Sequence, residues 1–255
     1  MAAAAAAALA ASGLPGCGFI PREAVVPMPT RRDPNGCGAA AHTLLVLLPG
    51  RGMTLRELER HGFVAEVQAQ GLAVDVVRAD AHLGYYKNRS ILERLRADVI
   101  APAQAAGYRS IWLAGISLGG LGALLYADAH PEDVAGLLLL APYLGDDRTA
   151  QSVVAAGGLM RWQPPAGPPP DGDAEISIAA WRSAQGLLRG AAEGSATPMS
   201  LGYGLSDRFA ATHRVLAQAL PPDRVFTAPG GHDWDPWFGL WQRMLAASGL
   251  PRCGR

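Results

Sequence analysis

The stretch "GISLGG" at Gly115–Gly120 sets one serine between two glycines, directly after the apolar run "SIWLA". A serine there adds nothing to a core. The spacing Gly115-x-Ser117-x-Gly119 suits a sharp strand-to-helix turn that holds a hydroxyl out at a strained backbone angle. A hydroxyl is a weak nucleophile until a base takes its proton, a carboxylate orients the base and fixed N–H groups meet the oxyanion. Two later stretches offer the base and the carboxylate. Asp207 follows "LGYGLS", and His232 stands in "PGGHDWD". Both fall just past apolar runs, and ligand sites of open α/β sheets lie beyond the carboxyl ends of the strands. The order Ser, Asp, His is the one that accompanies a nucleophile on a strand–turn–helix elbow.

Other residues compete for these roles. Asp233 and Asp235 adjoin His232 too closely to approach its far ring nitrogen with ease, and they suit N-capping before Pro236 better. Asp146 and Asp147, past the fourth apolar run, are a second source of the acid. Tyr85 and Tyr86 in "DAHLGYY" follow the second run and are expected either to line an acyl or alcohol pocket or to pack against their own loop. Trp234, Trp237 and Trp241 recur at helical spacing. Trp237 and Trp241 read as a core stripe, and Trp234, beside His232, is the one expected to touch substrate. No C-x-x-C and no H-E-x-x-H occurs, so neither a metal nor an organic cofactor is expected.

The elements that must carry these residues follow from the pattern of apolar runs. Strands are predicted at 43–49, 72–80, 110–117, 134–142, 198–204 and 224–230. Helices are predicted at 54–71, 90–107, 119–130, 208–220 and 236–248, the second disturbed at Pro102. Continuous apolar strands, each followed by a helix, imply a mostly parallel sheet covered on both faces. The stretch 143–197, with "RWQPPAGPPPDGD", breaks the rhythm and is expected to form a cap over the strand ends.

The chain has 255 residues, no formal net charge and 17% charged residues, so no basic surface invites nucleic acid. Residues 1–17 end in "LPGC" after an alanine-rich run, the form of a lipoprotein signal in which Cys17 would take the lipid. Against that form, no basic residue precedes the run and Pro15 stands where a small residue is usual. Residues 18–42 are expected to be a linker to a single domain over 43–255. Export, to the periplasm or a membrane anchored by Cys17, is the expected localisation, with the cytoplasm as the alternative. If Cys17 carries lipid, Cys37 and Cys253 remain as an even pair.

On "LPGRG", "GISLGG", "GLSDRF" and "GGHDW", the chain resembles the α/β-hydrolase superfamily over about residues 43–248. More narrowly, it resembles small hydrolases of bacterial envelopes. The resemblance implies a doubly wound sheet of about six strands, with the superfamily's N-terminal antiparallel hairpin missing or vestigial. It implies that the N–H of Leu118 is one oxyanion donor. The other donor comes from the loop after the first strand, where Pro49 replaces a frequent histidine. The donor then falls on Arg51, with Gly50 beside it at the substrate. In this architecture the last helix returns toward the start of the first strand, which implies a Cys37–Cys253 disulfide. The activity implied is cleavage of a carboxylic ester or related acyl bond of a small molecule through an acyl-enzyme. Acyl transfer, or a non-catalytic envelope binding protein, is the alternative.

Overall fold

A computed structural model of the protein describes residues 22–166, 172–192 and 197–254. The segment 1–17 and Cys17 lie outside the described residues. Seven strands form one sheet: β1 Thr30–Asp33, β2 Thr43–Leu48, β3 Val74–Ala79, β4 Ser110–Ile116, β5 Gly136–Leu140, β6 Met199–Gly204 and β7 Val225–Ala228. Their order across the sheet is β1-β3-β2-β4-β5-β6-β7. From β3 to β7 every pairing is parallel, and only β1 runs antiparallel, against β3. The six predicted strands are all present.

The seventh strand, β1, comes from the stretch expected to be linker. Its sequence TRRD has no apolar alternation, and its residues are largely exposed. Charge holds it instead: Arg32 pairs with Asp75 at 2.6 Å, and Asp33 pairs with Arg78 at 2.8 Å. Hydrophobic patterning is blind to such a strand. It is a single antiparallel edge strand, in keeping with a vestigial hairpin.

The helices are α1 Leu55–Arg60, α2 Phe63–Ala69, α3 Leu83–Lys87, α4 Ile91–Leu95, α5 Ala101–Ala105, α6 Leu118–Ala129, α7 Asp147–Ala155, α8 Asp173–Ala192, α9 Ala210–Ala217 and α10 Trp234–Ala247. The helix predicted over 54–71 is broken in two, because Gly62 takes a left-handed φ of 78°. The helix predicted over 90–107 runs from α4 to α5 through a π turn at Arg96–Ile100, which lets Pro102 sit in the first turn of α5.

Side chains alternate across the sheet as the pleat requires. Leu44, Val46 and Leu48 of β2 join one core with residues of α4, α6 and α8. Leu45 and Leu47 join the other core with residues of α1, α2 and α10. α8, inside the stretch expected to be a cap, packs along α6 with Trp181 fully buried. It therefore belongs to the helix layer, while α7 begins at the carboxyl end of β5 and packs against α9.

The chain leaves β2 for β3 on one side and returns to β4 on the other. The carboxyl ends of β2 and β4 therefore flank a topological switch point, where open α/β sheets bind ligands. At the opposite end of the sheet, Cys37 and Cys253 form the expected disulfide, with Cα atoms 5.4 Å apart.

Candidate active site

Ser117 follows β4 directly and stands at the N-cap position of α6 with φ 52° and ψ −111°. This left-handed backbone is costly for a residue with a Cβ and persists only where the surroundings enforce it. The enforcement is visible. The Ser117 N–H donates to the Leu140 carbonyl at 2.9 Å, and the Ser117 carbonyl accepts from Tyr143 N at 2.9 Å. Gly115 and Gly119 are required by close approach. A Cβ on Gly115 would meet the Gly119 carbonyl at 2.2 Å, and one on Gly119 would meet the Leu48 carbonyl at 2.1 Å.

His232 follows β7 and reaches back over β6 to the serine. Its Nε2 accepts from the Ser117 hydroxyl at 2.9 Å, and its Nδ1–H donates to Asp207 Oδ2 at 2.7 Å. The tautomer follows from chemistry, because an ionised carboxylate can only accept. Asp207 lies in the turn after β6, its side chain fully buried, and that of His232 is 9% exposed. Burial works to raise the Asp207 pKa, but the bonds from His232 and from the Phe209 N–H at 2.8 Å outweigh it and hold the acid below its ordinary value. The result is a fixed anion behind the imidazole. Ser117, His232 and Asp207, which are 115 and 25 residues apart along the chain, thus form one hydrogen-bonded line.

The competing carboxylates are elsewhere. Asp146 caps α7 by accepting from Thr149 N at 3.0 Å, and Asp147 is exposed at the start of that helix. Asp233 and Asp235 are exposed in the first turn of α10, and Asp233 holds the N-cap position without a side-chain capping bond.

The loop after β2 packs onto the turn that carries Ser117. A Cβ on Gly119 would also meet the Pro49 carbonyl at 2.8 Å, and one on Gly50 would meet the Ile116 carbonyl at 3.4 Å. Arg51 therefore stands beside the turn that carries Leu118. The loop is closed by a capping box, in which Thr54 and Glu57 exchange hydrogen bonds. The Gly50 N–H donates to Met53 Sδ at 3.1 Å. The N–H of Leu118 belongs to the first turn of a 12-residue helix, whose amides have no helical acceptor and whose dipole favours negative charge.

No protein-family model matches the sequence, and no curated protein matches it. Solved structures do match in fold. Est1E from Butyrivibrio proteoclasticus, with ferulic acid bound, superposes with a TM-score of 0.58 at 18% identity, covering 86% of this chain and 92% of that one. An S-formylglutathione hydrolase from Staphylococcus aureus gives 0.52 at 16% identity, covering 81% and 80%. A monoacylglycerol lipase from Paleococcus ferrophilus gives 0.51 at 16% identity, covering 86% and 99%. The fold is that of the α/β-hydrolases.

For Tyr85 and Tyr86, two readings are open in the sequence, a pocket lining or packing within the loop, and Trp234 is expected beside a substrate. Tyr85 is fully buried, and its hydroxyl donates to the Val25 carbonyl at 2.7 Å, so it anchors the N-terminal segment and does not line a pocket. Tyr86 donates its hydroxyl to the Leu118 carbonyl at 3.0 Å and has none left to offer a substrate. α3 is a short helix after β3, and its turn points both phenols inward. Trp234 stacks on His61 at 3.9 Å between ring centroids. The tryptophan against His232 is Trp237, edge-on at 4.8 Å, and it is buried in the core as its spacing predicts.

Two further neighbours escaped sequence reasoning. The Phe209 ring is edge-on to His232 at 5.2 Å and to Tyr143 at 5.5 Å. Phe209, two residues past Asp207, was within reach of a local reading; Tyr143 was not, since it arrives by a bond to Ser117. A second histidine, His213, is wholly buried behind them. Its Nε2–H donates to the Pro142 carbonyl at 2.9 Å, and burial pushes it down to about 4, so it is neutral at pH 7. The only candidate metal cluster among the described residues, His130 with Glu132 and Asp133, already holds the Arg96 guanidinium.

Proposed function

We propose that the protein is a serine hydrolase that cleaves a carboxylic ester or related acyl bond of a small molecule through an acyl-enzyme. The observation that carries this reading is the hydrogen-bonded line Ser117–His232–Asp207 at the switch point of the sheet. Ser117 Oγ attacks the acyl carbonyl as His232 Nε2 takes its proton. Asp207 orients the imidazole and stabilises its charged form. The backbone amides of Leu118 and Arg51 receive the oxyanion, and collapse expels the alcohol with the proton returned by His232. Water then attacks the acyl-enzyme by the same route. Est1E, of the same fold, holds ferulic acid, and the partly exposed rings of Tyr143 and Phe209 near the base suit an apolar acyl or alcohol group here.

The disulfide supports an exported protein, since such bonds persist in oxidising compartments. No described helix is long and apolar enough to cross a membrane.

A fluorophosphonate probe tests the reading. Stoichiometric labelling, mapped by peptide mass to Ser117, with hydrolysis of nitrophenyl esters in a chain-length series, is the expected result. An unlabelled, inactive but folded protein would identify it as a binding protein of this fold, and faster product formation with added alcohol would move it to acyl transfer.

A further inference from the structure

Tyr86 belongs to α3, after β3, yet its hydroxyl lies on the first turn of α6. It donates to the Leu118 carbonyl at 3.0 Å, and the Gly122 N–H faces the same phenolic oxygen. Leu118 O and Gly122 N are the helix's own i, i+4 partners. The phenol is thus wedged beside one of the first hydrogen bonds of the helix. It fits because residue 122 is glycine: a Cβ there would stand 2.2 Å from the Tyr86 oxygen. Burial pushes the phenol up, so it remains a protonated donor at every working pH.

The base from which Tyr86 reaches is itself held. His82 Nδ1 accepts from Gly84 N at 3.1 Å, the Tyr85 hydroxyl grips Val25, and Arg89 just past α3 pairs with Glu175 of α8 at 2.8 Å. By contrast, Leu118 joins a strained residue on one side to a helix on the other. The peptide that carries the Leu118 N–H is held at the Ser117 carbonyl by Tyr143 N and Leu121 N, and the next peptide is held at the Leu118 carbonyl by this phenol. We propose that Tyr86 is a positioning residue for the oxyanion site: its hydroxyl pins the Leu118 carbonyl, so the Leu118 Cα is fixed from both neighbouring peptides and the Leu118 N–H is kept from rocking. The inference rests on the serine-hydrolase reading above. Its physical basis is that an oxyanion donor acts through preorganisation. Losing such a donor costs on the order of 10²–10³-fold in kcat, and letting one rock costs less.

The test uses Tyr86→Phe, Gly122→Ala and the double variant in the full-length chain. Each is assayed on a nitrophenyl ester, with active sites counted by fluorophosphonate, melting followed by circular dichroism, and affinity measured for an aryl boronate that forms a tetrahedral adduct on Ser117. Tyr86→Phe is expected to lower kcat per titrated site about tenfold, leave KM within about twofold, and weaken the boronate by a factor like that in kcat. Gly122→Ala should act alike, since its methyl displaces the hydroxyl, and the two together should cost little more than either.

A merely structural tyrosine would lower the melting temperature and the count of active sites while kcat per site and boronate affinity stayed put. That result, or additive losses in the double variant, overturns the proposal. If Tyr86→Phe does not fold, Gly122→Ala decides by the same readouts. A wild-type protein unlabelled at Ser117 brings down the hydrolase reading and this inference with it, whereas a labelled, active wild type with an unchanged Tyr86→Phe brings down this inference alone.

Discussion

The two ends of the sheet are built on opposite terms. At the amino end of the strands, polar groups are paired. Asp75, buried near the start of β3, accepts from the Tyr108 hydroxyl, from Arg32 at 2.6 Å, and from the backbone and side chain of Asn35 at 2.8 and 2.9 Å. The C-terminal segment is knitted to the turn before β3 by Cys253 N to Gly71 O at 2.8 Å and Ala73 N to Pro251 O at 2.7 Å, beside the disulfide. At the carboxyl end, backbone strain stands out instead, while buried polar atoms without a partner occur at both ends, Gln70 and Arg224 at the amino end among them. Ser117 and Ala141 both have positive φ, at 52° and 46°. His213 keeps a buried Nδ1 without a partner among the described residues. Such features cost of order 1–3 kcal/mol each and persist where the rest of the fold can support them. The difference separates a cross-linked, ion-paired end from one whose turns are strained.

The largest expected effect would break this contrast outright. Ser117→Ala should leave the fold intact and lower kcat/KM by on the order of 10³-fold or more. Retention of a tenth of the wild-type ester hydrolysis, measured on protein with an unchanged melting curve, would place the chemistry elsewhere.

Asp207→Asn comes next. It takes the anion from behind His232 and should lower kcat by about 10²–10⁴-fold with little change in KM. A near-normal kcat would mean that the imidazole is oriented by another group.

Changes at the amino end should move stability and spare turnover. Joint replacement of Cys37 and Cys253 by serine frees a loop of 216 residues. The entropy model puts the loss at about 5 kcal/mol, with about 2–4 more usual in practice. Thermal melting should fall while kcat at 25 °C holds within about twofold. A large fall in kcat would show that the two ends are coupled, against the contrast drawn here.

Asp75 sharpens the same point through pH. Burial would raise its pKa, but the bonds from Tyr108, Arg32 and Asn35 together bring it down to about 2. Its folded value lies below the unfolded one, so the stabilisation is complete above about pH 4 and fades as pH falls toward 2, roughly 2 kcal/mol in all. Denaturant titrations should show that acid limb in the wild type and a flatter one in Asp75→Asn. The smallest effect is expected of Asp233→Asn, an exposed N-cap position beside the base, which should change kcat/KM by less than about twofold. A loss rivalling that of Asp207→Asn would transfer the acid's role to Asp233.

What the sequence alone determined is the part encoded in local pattern and chemical type. Apolar runs placed β2 to β7 because a strand covered on both faces must be apolar throughout. The Gly115-x-Ser117-x-Gly119 spacing located the turn, because only glycines tolerate the backbone approach found there. The same runs set Ser117, His232 and a short list of carboxylates, Asp207 among them, just past strand ends. Other decisions belonged to the tertiary structure. β1 is held by ion pairs with partners more than 40 residues away, which no local period records. Whether a phenol lines a pocket or packs inward depended on the direction in which α3 turns, and that decided between the two readings open for Tyr85. Among five carboxylates near strand ends, only the folded chain could choose Asp207, because hydrogen bonding to Nδ1 is a matter of ångströms across the sheet and not of spacing along the sequence.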